Sequence, residues 1–241
     1  MEIVIYGAGV LAQLTKESVI TSGSNVAGMI DPLGNTEYKS LKEFDKDCDI
    51  IIDFSHFSSL NDILEYAVKN KKPVIIATTG HSKEQTALIE EAAKHIAVLK
   101  ATNTSFGVTM VNEILSYAAK LLKGFDIELI EKHHNRKIDS PSGTAETMLE
   151  VIQASINEDR DLVYGREGNS QRTAKEIGVH SVRAGNIVGE HTVIFSRGDE
   201  IIEIKHEALS RKMFADGAVD AALKLVNKKS GLYSMKDLLI V

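Results

Sequence analysis

Short apolar blocks alternate with longer stretches in which apolar residues recur every three or four positions through the N-terminal part of the chain. Ile3–Tyr6, Val26–Ile30, Ile50–Phe54, Val74–Ala77 and Ile96–Leu99 are apolar at nearly every position, the pattern of strands buried on both faces. Between them, Val10–Thr21, Ser59–Asn70 and Lys83–His95 carry helical spacing. Ser82, with Gln85 three residues on, predicts a capping box, because each side chain can satisfy an orphan amide of the first turn. Strands and helices in strict alternation predict an α/β fold, a Rossmann-like doubly wound parallel sheet.

From Phe106 the rhythm changes. A long helix, Val108–Leu122, is followed by Ile127–His133, whose partial alternation reads as a strand with one solvated or functional face. A helix over Thr144–Ser155 then leads to strand-like runs at Ile177–Val182, His191–Phe195 and Ile201–His206, with glycine-containing turns between them. This predicts a second, α+β domain with an open mixed sheet, mostly antiparallel. A last helix, Phe214–Val226, is expected to return to the first half. The expected division is residues 1–105 with 211–241 as one domain and 106–210 as the other.

Composition narrows the function. Hydrophobic residues make up 43% of the 241 positions, enough for buried cores. A net charge of −6 argues against a chain-wide nucleic-acid or membrane-surface role, since phosphate binding needs a basic face. Cys48 is the single cysteine, so no intrachain disulfide or multi-cysteine metal site can form, and it is expected to pack as a small buried hydrophobe. No apolar run approaches the ~20 residues that span a bilayer. A soluble cytoplasmic protein with no nucleic-acid or membrane partner is expected.

The first strand runs into Gly7-Ala8-Gly9-Val10-Leu11-Ala12. In this GxGxxA pattern the first glycine permits a tight turn and the second lets backbone approach a pyrophosphate. The third small residue allows close helix-to-strand packing. The phosphates would sit at the positive end of the following helix. Asp31 ends the second strand, where an acid can bond both ribose hydroxyls of an adenosine. A carboxylate there repels a 2′-phosphate, and Pro32 and Leu33 supply no arginine clamp, so NADH should serve at least as well as NADPH; Lys39 is the residue that would favour NADPH. Further strand ends carry small or hydroxylic residues at Asp53-Phe54-Ser55, Ala77-Thr78-Thr79-Gly80 and Ala101-Thr102-Asn103-Thr104-Ser105, which leave room for a nicotinamide, although ordinary turns use the same residues.

The densest chemistry lies between Glu131 and Ala145, EKHHNRKIDSPSGTA. Ser142 is a good N-cap, and the amides of Gly143 and Thr144 at a helix start, with the Lys137 ammonium nearby, suit a carboxylate. His133 and His134 are natural proton donors near neutrality, because a free imidazole titrates at ~6.5. Adjacent strand residues face opposite ways, so both can serve one pocket only if the strand ends there. A metal set lacks a third ligand at recognisable spacing, and a plain surface loop with a helix cap is the bland alternative.

That segment resembles the signature of the dihydrodipicolinate reductase family. The likeness extends to the N-terminal fingerprint, DFS at 53–55, TTG at 78–80, SFGV at 105–108, SVRAGNIVGEHTV at 181–193 and SRKMFADGAV at 210–219. The resemblance implies NAD(P)H-dependent reduction of a small cyclic dicarboxylate in the diaminopimelate route to lysine, with NADH or NADPH as cofactor. It implies His133 and Lys137 as proton donors, with His134, Ser142, Gly143 and Thr144 at the substrate. Cofactor contacts would come from Gly7, Ala8, Gly9, Val10, Leu11, Ala12, Asp31, Ala77, Thr78, Thr79, Ala101, Thr102, Asn103 and Thr104. Residues 106–210 would bind substrate and assemble a homotetramer; no metal is expected. Rival readings are a two-domain dehydrogenase acting on a sugar or amino acid, and a non-catalytic NAD(H)-responsive regulator.

Overall fold

The computed structural model describes residues 1–156 and 158–239. The chain divides into two compact units, Met1–Phe106 with Arg211–Val241, and Gly107–Ser210.

In the first unit β1 (Glu2–Tyr6), α1 (Val10–Thr21), β2 (Asn25–Ile30), β3 (Ile50–Asp53), α2 (Leu60–Lys69), β4 (Val74–Ile76), α3 (Lys83–Ala93) and β5 (Ala97–Lys100) alternate. α4 (Phe106–Leu121) opens the second unit, which continues through β6 (Asp126–His133), α5 (Gly143–Ser155), β7 (Asp161–Tyr164), β8 (Glu176–Arg183), β9 (Gly189–Arg197) and β10 (Glu200–Ala208). α6 (Lys212–Leu225), β11 (Gly231–Tyr233) and α7 (Met235–Leu239) return to the first.

The first sheet has the order β11-β5-β4-β3-β1-β2, and every pairing in it is parallel. The strands are apolar on consecutive positions because both faces are covered. Ile3, Ile5, Ile50, Ile52 and Leu99 join one core layer with α1 and α6, while Val4, Tyr6, Ile51, Ile76 and Val98 join another with α2 and α3. α2 buries Leu60, Ile63, Leu64 and Ala67, one helical stripe. The capping box forms with both halves present at Ser82 and Gln85. Strand order reverses between β1 and β3, the switch point at which such sheets leave a crevice. There Gly7 has φ +130°, and a Cβ on it would stand 2.4 Å from the Phe54 carbonyl oxygen, so only glycine fits.

The second sheet has the order β10-β9-β6-β8-β7. The expectation of a mostly antiparallel sheet needs correction: β6 pairs β9 and β9 pairs β10 antiparallel, but β6 pairs β8 and β7 pairs β8 in parallel. The chain leaves β6 through α5 to β7 and then passes through residues 165–175 to β8, entering the sheet each time in the same direction as β6. β7, β11 and α7 were also not expected. β7 and β11 are edge strands of four and three residues without a clear hydrophobic alternation. Ile127, Leu129, Phe195, Ile177 and Val179 pack one sheet face against α4 and α5.

Among the described residues no helix is long and apolar enough to cross a membrane. Cys48 is buried, and burial pushes its thiol up to about 11.

Candidate active site

Within the first unit the carboxyl ends of the strands surround a hollow of about 140 Å³ lined by Leu11, Phe54, Ala77, Ala101, Thr102, Asn103, Thr104 and Phe214. Several expected cofactor residues therefore meet in one place. Gly9 caps α1 with no side-chain hydrogen bond, and a Cβ on it would meet nothing within 4 Å. Backbone at a positive helix end thus faces open space, the cradle a pyrophosphate needs. Ala12 is fully buried in the core and contributes close packing, whereas Val10 is exposed.

The side chains around the hollow are largely committed. Thr78 Oγ1 accepts from the Ser55 amide at 3.0 Å, while Thr79 is exposed. Thr104 is buried and donates to the Phe214 carbonyl at 2.7 Å; Asn103 Oδ1 accepts from the Ser105 amide at 2.8 Å. α6 approaches this turn so closely that a Cβ on Gly217 would fall 1.9 Å from the Thr104 carbonyl oxygen. Asp53 is buried, bonds the Ser55 amide and hydroxyl, and is pushed up to about 6 by burial against those bonds. Asp31 directly follows β2, and its Oδ2 accepts from the Asn35 amide at 3.2 Å and side chain at 2.6 Å. Lys39 lies across the same turn, its Cε 3.1 Å from where a Cβ on Gly34 would be.

Within the second unit the buried face of β6 reads Ile127, Leu129, Glu131, His133: apolar at first, then ionic at the carboxyl end. Period-two alternation places Glu131 beside His133, and its Oε2 lies 2.5 Å from His133 Nδ1. Arg183, the register partner of His133 on β8, reaches both Glu131 oxygens at 2.6 and 2.8 Å and the Asp139 carbonyl at 2.7 Å. Burial alone would raise the Glu131 carboxyl, but hydrogen bonds from Arg183, Ser181 and His133 outweigh it and hold it below the usual carboxylate range.

His191 on β9, the register partner of Glu131, sets its ring edge-on to His133 with centroids 5.2 Å apart. Burial, with the neighbouring His133 next, pushes His191 down to about 4, so its imidazole is neutral at pH 7. Its Nε2 lies 2.8 Å from Ser142 Oγ, which also accepts the Ala145 amide and caps α5. Ser142 is thus buried, while Gly143 is exposed at the helix start. β6 ends at His133, so His134 begins the turn in which its carbonyl accepts the Lys137 amide, and the two histidines are not confined to opposite sheet faces. Lys137 Nζ is held by both Asp139 oxygens at 2.8 and 2.6 Å. The sequence reading gave no role to Glu131, Asp139, Arg183 or His191. Period two from His133 pointed to Glu131, but only the strand register brings in Arg183 and His191.

Among the described residues no group of three or more His, Cys, Asp or Glu is placed to hold a metal ion.

Comparisons with known proteins agree across the whole chain. The family model described as dihydrodipicolinate reductase, N-terminus, matches residues 5–104, and the model for the C-terminus matches residues 107–239. A 4-hydroxy-tetrahydrodipicolinate reductase of Brachyspira hyodysenteriae is 46% identical over 240 residues, covering 99% of this chain and 100% of that protein. Another, from Caldanaerobacter subterraneus subsp. tengcongensis, is 45% identical over 233 residues, covering 95% of this chain and 92% of that one. Among solved structures, a dipicolinate-bound dihydrodipicolinate reductase from Paenisporosarcina sp. TG-14 shares the fold with a TM-score of 0.78 at 20% identity, covering 97% of each chain.

Proposed function

The chain belongs to the dihydrodipicolinate reductase family, and from that premise we propose that it is a 4-hydroxy-tetrahydrodipicolinate reductase, an NAD(P)H-dependent enzyme of diaminopimelate and lysine biosynthesis working in the cytoplasm. The observation that carries the reading is the ionic end of β6: His133, backed by a buried carboxylate, stands at the strand end that leads into the Lys137 turn and the capped start of α5.

The residues of the first unit fit a dinucleotide. The open backbone at Gly9 would receive the pyrophosphate, Asp31 the adenosine ribose, and the hollow from Leu11 to Phe214 the nicotinamide end. The reduced cofactor supplies a hydride. NADH is the expected equal or better donor, because a carboxylate at Asp31 would repel a 2′-phosphate; Lys39 is the residue that would favour NADPH.

The second unit acts on the ring. The α5 start at Gly143 and Thr144, with Lys137, receives a carboxylate of the substrate. That carboxylate competes with Asp139 for the Lys137 ammonium. His134 assists binding from the turn. Loss of the ring hydroxyl as water gives the conjugated imine; hydride addition there leaves an enamine, and one proton supplied through His133 and Lys137 completes the tetrahydro product. General acid catalysis of this kind contributes about 10² to 10⁴ in rate. His191 stays neutral and orients Ser142, so it adds no second cation beside His133.

The outer face of the second sheet exposes Val182 and Ile201 and leaves Ile130 and Ile194 half-buried, which supports assembly into a homotetramer through that face. Sedimentation at micromolar concentration tests this, and a monomer contradicts it. The function itself is tested by supplying the product of dihydrodipicolinate synthase and following nicotinamide absorbance with each cofactor. Oxidation of NADH that stops on adding pyridine-2,6-dicarboxylate is expected. No turnover with either cofactor refutes the activity, and an about hundredfold lower KM for NADPH refutes the preference.

A further inference from the structure

Glu131 is fully buried and is bonded by Arg183 and His133. Buried ion pairs are commonly replaceable by apolar residues at no net cost, so a retained carboxylate with an arginine fork calls for another explanation. Its partners supply one. An ionised carboxylate can only accept, so the 2.5 Å contact requires His133 Nδ1 to carry a hydrogen. That assigns Nε2 as the nitrogen that gives up or takes the exchangeable proton.

The space around Nε2 agrees. Position 189, on the neighbouring strand, is glycine, and a Cβ there would come within 3.0 Å of Nε2. Nε2 is therefore neither crowded by that strand nor bonded to Glu131. Arg183 bonds both Glu131 oxygens, sharing Oε2 with His133, and is itself tethered to the Asp139 carbonyl, which holds the carboxylate in place beside the ring. His191 meets the His133 ring edge-on and limits its rotation.

We propose that Glu131 is the positioning residue for His133, holding the Nδ1–H tautomer so that Nε2 exchanges the proton in the reductase step, with Arg183 and Gly189 completing the arrangement. This rests on the functional reading given above. In the step, the Nε2–H bond of the imidazolium breaks as the enamine electron pair forms the new C–H bond. The imidazole is left neutral, with Nδ1–H still on Glu131. Substitutions that remove the carboxylate should behave like loss of the orienting acid in a catalytic triad, where the wrong tautomer lowers turnover with the geometry otherwise intact.

The test is Glu131→Gln, read by steady-state kinetics, NADH titration and ¹⁵N NMR of the histidine side chains. Turnover is expected to fall by about 10² to 10⁴, with the KM and Kd for NADH within about twofold of wild type. The His133 resonances should change from the Nδ1–H pattern to a mixture or to Nε2–H. Turnover within about threefold of wild type, or an unchanged Nδ1–H pattern, overturns the proposal. If Glu131→Gln does not fold, Glu131→Asp keeps the charge for Arg183 but withdraws it from Nδ1, and the same two readouts decide. If the wild-type protein shows no reductase turnover, the functional reading fails. The positioning claim is then judged by the NMR alone, where loss of the Nδ1–H form supports it and retention overturns it.

Discussion

The candidate sites of the two units are built on different physics. In the first, the cradle is backbone and small side chains: Gly7 pressed on the Phe54 carbonyl, Gly9 facing open space, and an α6 glycine against the Thr104 carbonyl. In the second, the carboxyl end of β6 is a network of ionisable groups in which Glu131, Arg183, His133 and His191 each depend on a partner. Shape governs one region and protonation the other, so the two should fail in different ways when perturbed.

The largest expected effect is steric. Gly7→Ala must change a φ of +130° and remove a 2.4 Å clash with a carbonyl, so NADH affinity should fall by more than about a hundredfold, as fluorescence titration would show. Near-normal affinity would mean the loop is not the phosphate cradle. Next come His133→Ala and Lys137→Ala. Each should lower kcat by about 10² to 10⁴ while NADH affinity stays within about twofold. Near-normal turnover in either variant removes that residue from the chemistry.

The effect of pH should separate the units by sign. His191 is pushed down to about 4 from 6.5, so its contribution to stability is present above pH 6.5 and is lost as pH falls toward 4. Asp53 is pushed up to about 6 from 3.8, so its contribution is present below pH 3.8 and is lost as pH rises through 6. Each is on the order of 3 kcal/mol at ~1.4 kcal/mol per pKa unit. Urea unfolding at about pH 4.5 and 7 should show that His191→Asn loses less stability than wild type on acidification, and Asp53→Asn loses more. Equal slopes in all three proteins would contradict the contrast. The smallest effect is Ser142→Ala, which removes the α5 cap and the hydrogen-bond partner of His191 at a cost of about 1 to 3 kcal/mol in the same unfolding measurement.

The same contrast explains what the sequence made legible. α1 spans Val10–Thr21 as expected, because the glycine fingerprint marks its start and Ser22-Gly23 its end. The α3 cap was readable because Ser82 and Gln85 are three residues apart. Such local signals carry most of the first unit. β7 and β11 were not legible, since short edge strands are held by the neighbour they pair with and not by their own pattern. The direction of β8 was equally hidden, being set by the connection that returns the chain from β7 to the same end of the sheet. In the second unit the histidines, the lysine and the helix cap stand in one segment and could be read directly. Arg183 and His191 lie 52 and 60 positions from Glu131 and meet it only through strand register.

The central claim is that this chain reduces a cyclic dicarboxylate with protons supplied from the end of β6. Its most direct test is the coupled assay run on wild type and on the His133→Ala, Lys137→Ala double variant, each first shown to bind NADH equally. The account predicts substrate-dependent NADH oxidation by wild type, blocked by pyridine-2,6-dicarboxylate, and turnover at least about a hundredfold lower in the double variant. Comparable turnover in the two proteins, or an inert wild type, would contradict it.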